Sequence, residues 1–161
     1  MFETRRCRLI EVRIPDAEEI KALYSNQEVR KYLGGVREAD SVQEEINKMV
    51  LLRKPIFCWV VREKRTDRFM GTLSLDPHHD GHDFELSYQF LPEWWGKGFA
   101  KETVLFAINY AFTELKLKKI VAETQTANVS SCKLLEKSGM KLEKIVTRFG
   151  AEQALYSIEA G

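Results

Sequence analysis

Neither sign of charge predominates in this chain. Twenty-five basic residues stand against twenty-four acidic ones, a formal charge of +1, so no global field draws in nucleic acid or an anionic membrane. Any basic function has to be local. Long apolar runs are missing too, and the opening Met1-Phe2-Glu3-Thr4-Arg5-Arg6 lacks the apolar segment of a secretory signal, so a soluble, cytoplasmic protein is expected. The three cysteines, Cys7, Cys58 and Cys132, are odd in number and widely separated, which argues against a disulfide framework and a paired-cysteine zinc site. Cys58, in the apolar run Ile56 to Val61, reads as a small core residue. The only three histidines, His78, His79 and His82, crowd into the loop Asp76 to Asp83, where no established ligand spacing matches, so no metal site is expected. No repeat, low-complexity stretch or linker divides the 161 residues, and a single domain over 1–161 is expected.

What is present is a mixed order of elements. Cys7 to Arg13 has strand character, and Pro15-Asp16 opens a helix through Ile20, Leu23 and Tyr24. Ser41 and Glu44 have the spacing of a capping box ahead of a second helix with the stripe Ile46, Met49 and Val50. Two strands follow, Ile56 to Arg62 and Phe69 to Leu75, around the polar turn Lys64 to Arg68. Glu85 to Leu91 is a fourth strand by its alternation, Val104 to Leu115 a helix by its period, and Lys119 to Thr124 a fifth strand. Asn128 starts a short helix that Gly139 ends, and Leu142 to Arg148 and Ala154 to Ile158 close the chain around Gly150. The fourth and fifth strands form a strand-helix-strand unit, expected to lie parallel or splayed apart in one sheet.

The most informative stretch is Pro92-Glu93-Trp94-Trp95-Gly96-Lys97-Gly98-Phe99-Ala100-Lys101, which joins the fourth strand to the helix. First-turn amides of a helix lack internal partners and carry the positive end of its dipole, so a glycine turn that brings backbone close to an anion can bind phosphate there. The stretch matches neither a Walker motif nor the dinucleotide glycine pattern. By itself it also fits an ordinary glycine entry to a helix.

Together, Tyr88 to Ala100 and Thr126-Ala127-Asn128-Val129-Ser130-Ser131-Cys132-Lys133-Leu134-Leu135-Glu136-Lys137-Ser138-Gly139-Met140 resemble the GNAT N-acetyltransferase superfamily, in particular its ribosomal-protein N-terminal alanine or serine acetyltransferase branch. The resemblance implies an α/β (α+β) fold with a mixed, mostly antiparallel sheet of about seven strands, splayed between the fourth and fifth and flanked by about four helices. It implies acetyl-CoA as donor, lying in the gap with its pantetheine paired to backbone at Phe90 and Leu91. The family's phosphate-binding pattern falls on Trp95, Gly96, Lys97, Gly98, Phe99 and Ala100. Trp95 replaces the usual glutamine or arginine, so binding would rest mainly on amides. Asn128 matches the position that hydrogen-bonds the pantetheine arm, and Ser131 a serine near the thioester sulfur. Lys97, Lys101 and Lys133 are candidate phosphate partners, or only solvated surface lysines.

Acetyl transfer from a thioester to an amine needs a base for the amine, a donor for the oxyanion and a proton for the departing thiolate. The Phe90 N–H is the expected oxyanion donor and Ser131 the expected proton donor, with helix capping as the alternative for Ser131 and for Asn128. Glu85, on a strand face with Ser87 and Gln89, is the expected base, with a solvated carboxylate as the alternative; Tyr88 and Tyr156 are the other candidates. The expected acceptor is a primary amine, first the α-amine of a protein N-terminus. A small-molecule amine such as an aminoglycoside, polyamine or amino acid, or a non-catalytic CoA-binding role, are the rival readings. No nucleic acid or membrane partner is expected, and monomer and homodimer are left open.

Overall fold

The computed structural model describes residues 1–52, 57–79, 81 and 83–161, so Ile56, Asp80 and His82 lie outside the described residues. Among the described residues eight strands form one sheet: β1 (Phe2–Glu3), β2 (Cys7–Glu11), β3 (Phe57–Glu63), β4 (Phe69–Pro77), β5 (Phe84–Phe90), β6 (Lys119–Gln125), β7 (Lys141–Arg148) and β8 (Ala151–Glu159). Their order is β1-β2-β3-β4-β5-β6-β8-β7, antiparallel at every step except the parallel β5–β6 pair. Five helices accompany them: α1 (Ala17–Tyr24), α2 (Gln27–Arg30), α3 (Ala39–Leu52), α4 (Phe99–Thr113) and α5 (Val129–Lys137).

The sheet therefore has one strand more than the sequence suggests, and the helices are also one more. The added strand is a two-residue edge piece that sets Phe2 against Leu9, and the added helix is one turn whose N-cap Asn26 accepts from the Val29 N–H at 3.1 Å. Both are too short for hydrophobic periodicity to register. The expected capping box at Ser41 and Glu44 does not form. The α3 helix starts earlier, at Ala39, and the Ser41 hydroxyl instead accepts from the Arg37 guanidinium at 2.8 Å. Pro15 sits in a 3-10 turn, Ile14–Asp16, that leads into α1. The buried Asp16 carboxylate ties that turn down, accepting from the Arg13 N–H at 2.9 Å and from Arg62 at 3.2 Å.

Two apolar clusters lie on opposite faces of the sheet. On one face Leu73, Leu75, Leu86 and Phe90 pack against Val104, Ala107, Ile108 and Ala111 of α4 and Leu135 of α5. On the other, Val60 and Phe69 pack against Ile20 and Leu23 of α1 and Val42 and Ile46 of α3. The β7–β8 hairpin turns at Phe149 and Gly150, both at positive φ (55° and 74°), a two-residue turn whose twist suits flanking strands. The β5–β6 ladder is short: only Phe84–Ile120 and Glu85–Val121 pair, after which the strands separate. That split, expected from the resemblance, positions everything that follows.

Candidate active site

Strand alternation decides which atoms line the gap. The Leu91 N–H bonds the Met70 carbonyl at 2.9 Å, so Met70 and Leu91 are a hydrogen-bonded pair and the neighbouring Gly71–Phe90 pair is not. In an antiparallel ladder the N–H and C=O of the latter kind point away from the partner strand. Both Phe90 groups therefore face the gap, while the Leu91 N–H is already held by β4. The Phe90 carbonyl accepts from the Trp95 indole N–H at 2.8 Å, which leaves its N–H as the group presented to a ligand. Trp95, half exposed, thus spends its indole N–H on the end of β5. Gly71 lets the two strands approach this closely, since a Cβ there would stand 1.9 Å from the Gln89 carbonyl oxygen.

Beyond Phe90 the chain makes a 3-10 turn, Pro92–Trp94, and buries Trp94 edge-on against Phe99 with ring centroids 5.6 Å apart, so Trp94 anchors the helix entry. Gly96 and Gly98 take φ of 73° and 82°, a region that L side chains rarely adopt, and Gly98 is the N-cap of α4. The Gly98 carbonyl accepts the first helical bond, from the Glu102 N–H at 3.0 Å. The amides from Gly98 to Lys101 then have no intrahelical acceptor and converge at the positive end of the helix dipole. Lys97, Lys101 and Lys133 are all exposed.

On the α4–α5 face, Tyr88 and Ser131 meet with Oη and Oγ 2.6 Å apart. The Asn128 side chain accepts from the Ser131 N–H at 3.3 Å, so Asn128 does cap α5. Its NH2 group is not used by that bond. Capping by Asn128 and a hydroxyl contact for Ser131 thus coexist. Burial pushes the Tyr88 phenol up to about 12, only partly offset by the Ser131 bond, so it is protonated at neutral pH. Tyr156, the other candidate tyrosine, is buried and donates to Glu136 at 2.9 Å, and burial raises its pKa as well.

Glu85, Ser87 and Gln89 alternate onto the opposite face, which α1 to α3 cover only in part. Gln89 accepts from Arg30 at 2.9 Å. Glu85 stands opposite Asp76 across the β4–β5 ladder. Burial, with Asp76 and Glu123 adding repulsion against the pull of His78, lifts the Glu85 carboxyl to about 7; burial and Glu45 lift Asp76 to about 6. Among the described residues neither carboxylate has an ion-pair partner. By sequence Asp76 reads as the start of a loop, whereas β4 runs on to Pro77. The alternation Thr72, Ser74, Asp76 against Leu73 and Leu75 was the signal that β4 runs on.

His78 and His79 lie over the same face, beside Glu123. His78 is buried with Nε2 3.1 Å from Glu123 Oε1, His79 Nε2 lies 3.4 Å from that oxygen, and the three ligand atoms fall within 4.8 Å of one another. Geometrically the group is compatible with a metal ion, yet a cation is already seated there. The Arg148 Nε stands 3.3 Å from Glu123 Oε2, and its Nη1 lies 3.4 Å from His79 Nδ1. A donor at Nδ1 leaves the proton of a neutral His79 on Nε2, directed at Glu123 and unavailable for ligation.

A splayed strand pair, a glycine-capped helix pointing at the split and an N-capped helix closing it together match a known architecture. The sequence model of the Acetyltransferase (GNAT) domain matches residues 6–141. The chain belongs to the GNAT acetyltransferase family. An N-acetyltransferase of Bacillus subtilis, YoaA, is 30% identical over 155 residues, covering 92% of this chain and 87% of its own length. Among solved structures, the spermidine N-acetyltransferase of Vibrio cholerae in complex with CoA and spermine superposes with a TM-score of 0.82 at 22% identity, covering 95% of each chain. The ribosomal-protein-S5-alanine acetyltransferase of Vibrio fischeri does so with 0.80 at 22%, covering 99% of this chain and 94% of the other. The GNAT protein described here is an N-acetyltransferase that draws its acetyl group from acetyl-CoA. None of its described helices is long and apolar enough to cross a membrane.

Proposed function

We propose that this GNAT enzyme passes acetyl from acetyl-CoA directly to a primary amine in a ternary complex, with donor and acceptor reaching the β5–β6 gap from opposite faces. The observation that carries the reading is the separation of polar groups between the two faces of the sheet: Tyr88 and Ser131 on the α4–α5 face, Glu85 and Asp76 on the other. In this scheme the amides from Gly96 to Ala100, with Lys97 and Lys101 as point charges, hold the pyrophosphate, and the Asn128 NH2 holds the pantetheine arm. The Phe90 N–H receives the oxyanion as the amine attacks, a preorganised contact worth about 3 kcal/mol of barrier. The Tyr88–Ser131 hydroxyl pair returns a proton to the departing thiolate. Glu85 lies roughly 16 Å along the strand from Phe90 at 3.3 Å per residue, so it receives the amine proton through cleft water.

A base near 7 suits the α-amine of a protein N-terminus, whose reference pKa is near 8, and that acceptor also fits the branch the motifs resemble. A second reading is favoured by the carboxylates themselves. Asp76 and Glu85, which have no ion-pair partner among the described residues and lie on the face assigned to the acceptor, would also receive a small polycationic amine. Initial rates with peptides beginning in Ala or Ser, measured beside spermidine, decide between them. Calorimetry showing no CoA binding at all would sink both.

A further inference from the structure

A residue from the far end of the chain reaches the N-terminus of α4. Arg6, between β1 and β2, donates from Nη1 to the Lys97 carbonyl at 3.1 Å, a contact 91 positions apart in sequence. Its guanidinium lies 4.1 Å from the centroid of the Phe99 ring, and Nη2 would stand 3.3 Å from a Cβ placed on Gly98. Nε and the Arg6 N–H both bond the Glu102 carboxylate at 2.8 Å, and the Thr4 hydroxyl reaches the same carboxylate at 2.5 Å. The Glu102 pKa is lowered: burial raises it, but the Thr4 and Arg6 bonds outweigh burial.

Two consequences follow from elementary geometry and charge. In a trans peptide the C=O and the following N–H point in opposite directions, so fixing the Lys97 carbonyl on Arg6 aims the Gly98 N–H the other way. Glu102 is also a carboxylate in the first turn of α4, close to where an anion must bind, and Arg6 offsets its charge. From these contacts we infer that Arg6 is a positioning residue for the CoA pyrophosphate, acting through the Lys97–Gly98 peptide and through Glu102. It supplies the order that the side chain replaced by Trp95 does not. The inference rests on the reading of Gly96 to Ala100 as the phosphate cradle.

The test compares CoA with pantetheine, which lacks the pyrophosphate and nucleotide, each titrated into the full chain by calorimetry or NMR. Wild type is expected to bind CoA far more tightly than pantetheine. In Arg6→Ala, CoA affinity falls about 10-fold or more while pantetheine affinity stays within about 2-fold. Arg6→Lys keeps a charge beside Glu102 but not the second arm on Lys97, so it recovers only part of the loss. It carries the same comparison if Arg6→Ala does not fold. Unchanged CoA affinity in a folded variant, or equal losses for both ligands, overturns the role. If wild type itself binds the two ligands equally, the cradle reading has failed and the role of Arg6 goes with it.

Discussion

Glu85 is held in a position that is unfavourable for a charged carboxylate. Its pKa, lifted to about 7 by burial and by its carboxylate neighbours, means that the folded chain keeps a proton which the unfolded chain releases near 4.5. Its contribution to stability is therefore full below about pH 4.5 and is lost as pH rises through about 7. Glu85→Gln is expected to raise the melting temperature at pH 8 and to have little effect at pH 4. The same substitution should lower kcat about 10- to 100-fold and remove the rise in rate near pH 7 that a buried base imposes. A Glu85→Gln enzyme whose pH profile still bends near 7 would assign that titration elsewhere. Ser131→Ala and Tyr88→Phe each break the 2.6 Å hydroxyl pair, and each should lower kcat by roughly 10-fold with little change in KM. A double variant no worse than either single would show that the two hydroxyls act as one unit.

At the level of elements, function depends on where β5 and β6 stop pairing, on a glycine that lets β5 lie close on β4, and on a glycine that caps α4. The Gly71 Cα faces the Gln89 carbonyl so closely that Gly71→Ala must push β5 off β4. The expected cost is about 1 to 3 kcal/mol of stability by urea titration, together with a fall in kcat because the Phe90 N–H moves. Gly98→Ala should cost about 1 to 2 kcal/mol through its left-handed backbone and should weaken CoA more than pantetheine. The glycines at 96 and 98 were legible in the sequence because turn chemistry is local. Gly71 was not, because its constraint comes from a residue on the neighbouring strand. The Ser41–Glu44 spacing misled for the converse reason: Arg37 captures the Ser41 hydroxyl and the helix begins earlier, at Ala39.

For the molecule as a whole, transfer in a ternary complex requires that no thiol take part. Burial, with Glu102 adding to it for Cys7, lifts the Cys7 and Cys58 thiols to about 11 and about 12, so neither is a nucleophile at neutral pH. Initial-rate plots against acetyl-CoA and amine should intersect rather than run parallel, and Cys132→Ala should retain activity. CoA at about 100 times its Kd should add about 2.7 kcal/mol to stability, a shift of several degrees in melting temperature. Parallel plots would reinstate an acyl-enzyme.

The sequence by itself determined the order of the main elements, the glycine turn ahead of α4, the Asn128 cap of α5 and, through their pairing, the acyl donor. Each motif depends on residues within a few positions of one another, where spacing and backbone preference act directly, and the acyl donor follows from reading the two motifs together. Only the tertiary structure decided that Glu85 and Ser131 stand on opposite faces of the sheet, that burial, helped by Asp76 and Glu123, raises the Glu85 pKa, and that Arg6 reaches Lys97. Those relations depend on strand register and on contacts across the sheet, where a shift of one residue would turn every side chain to the other face.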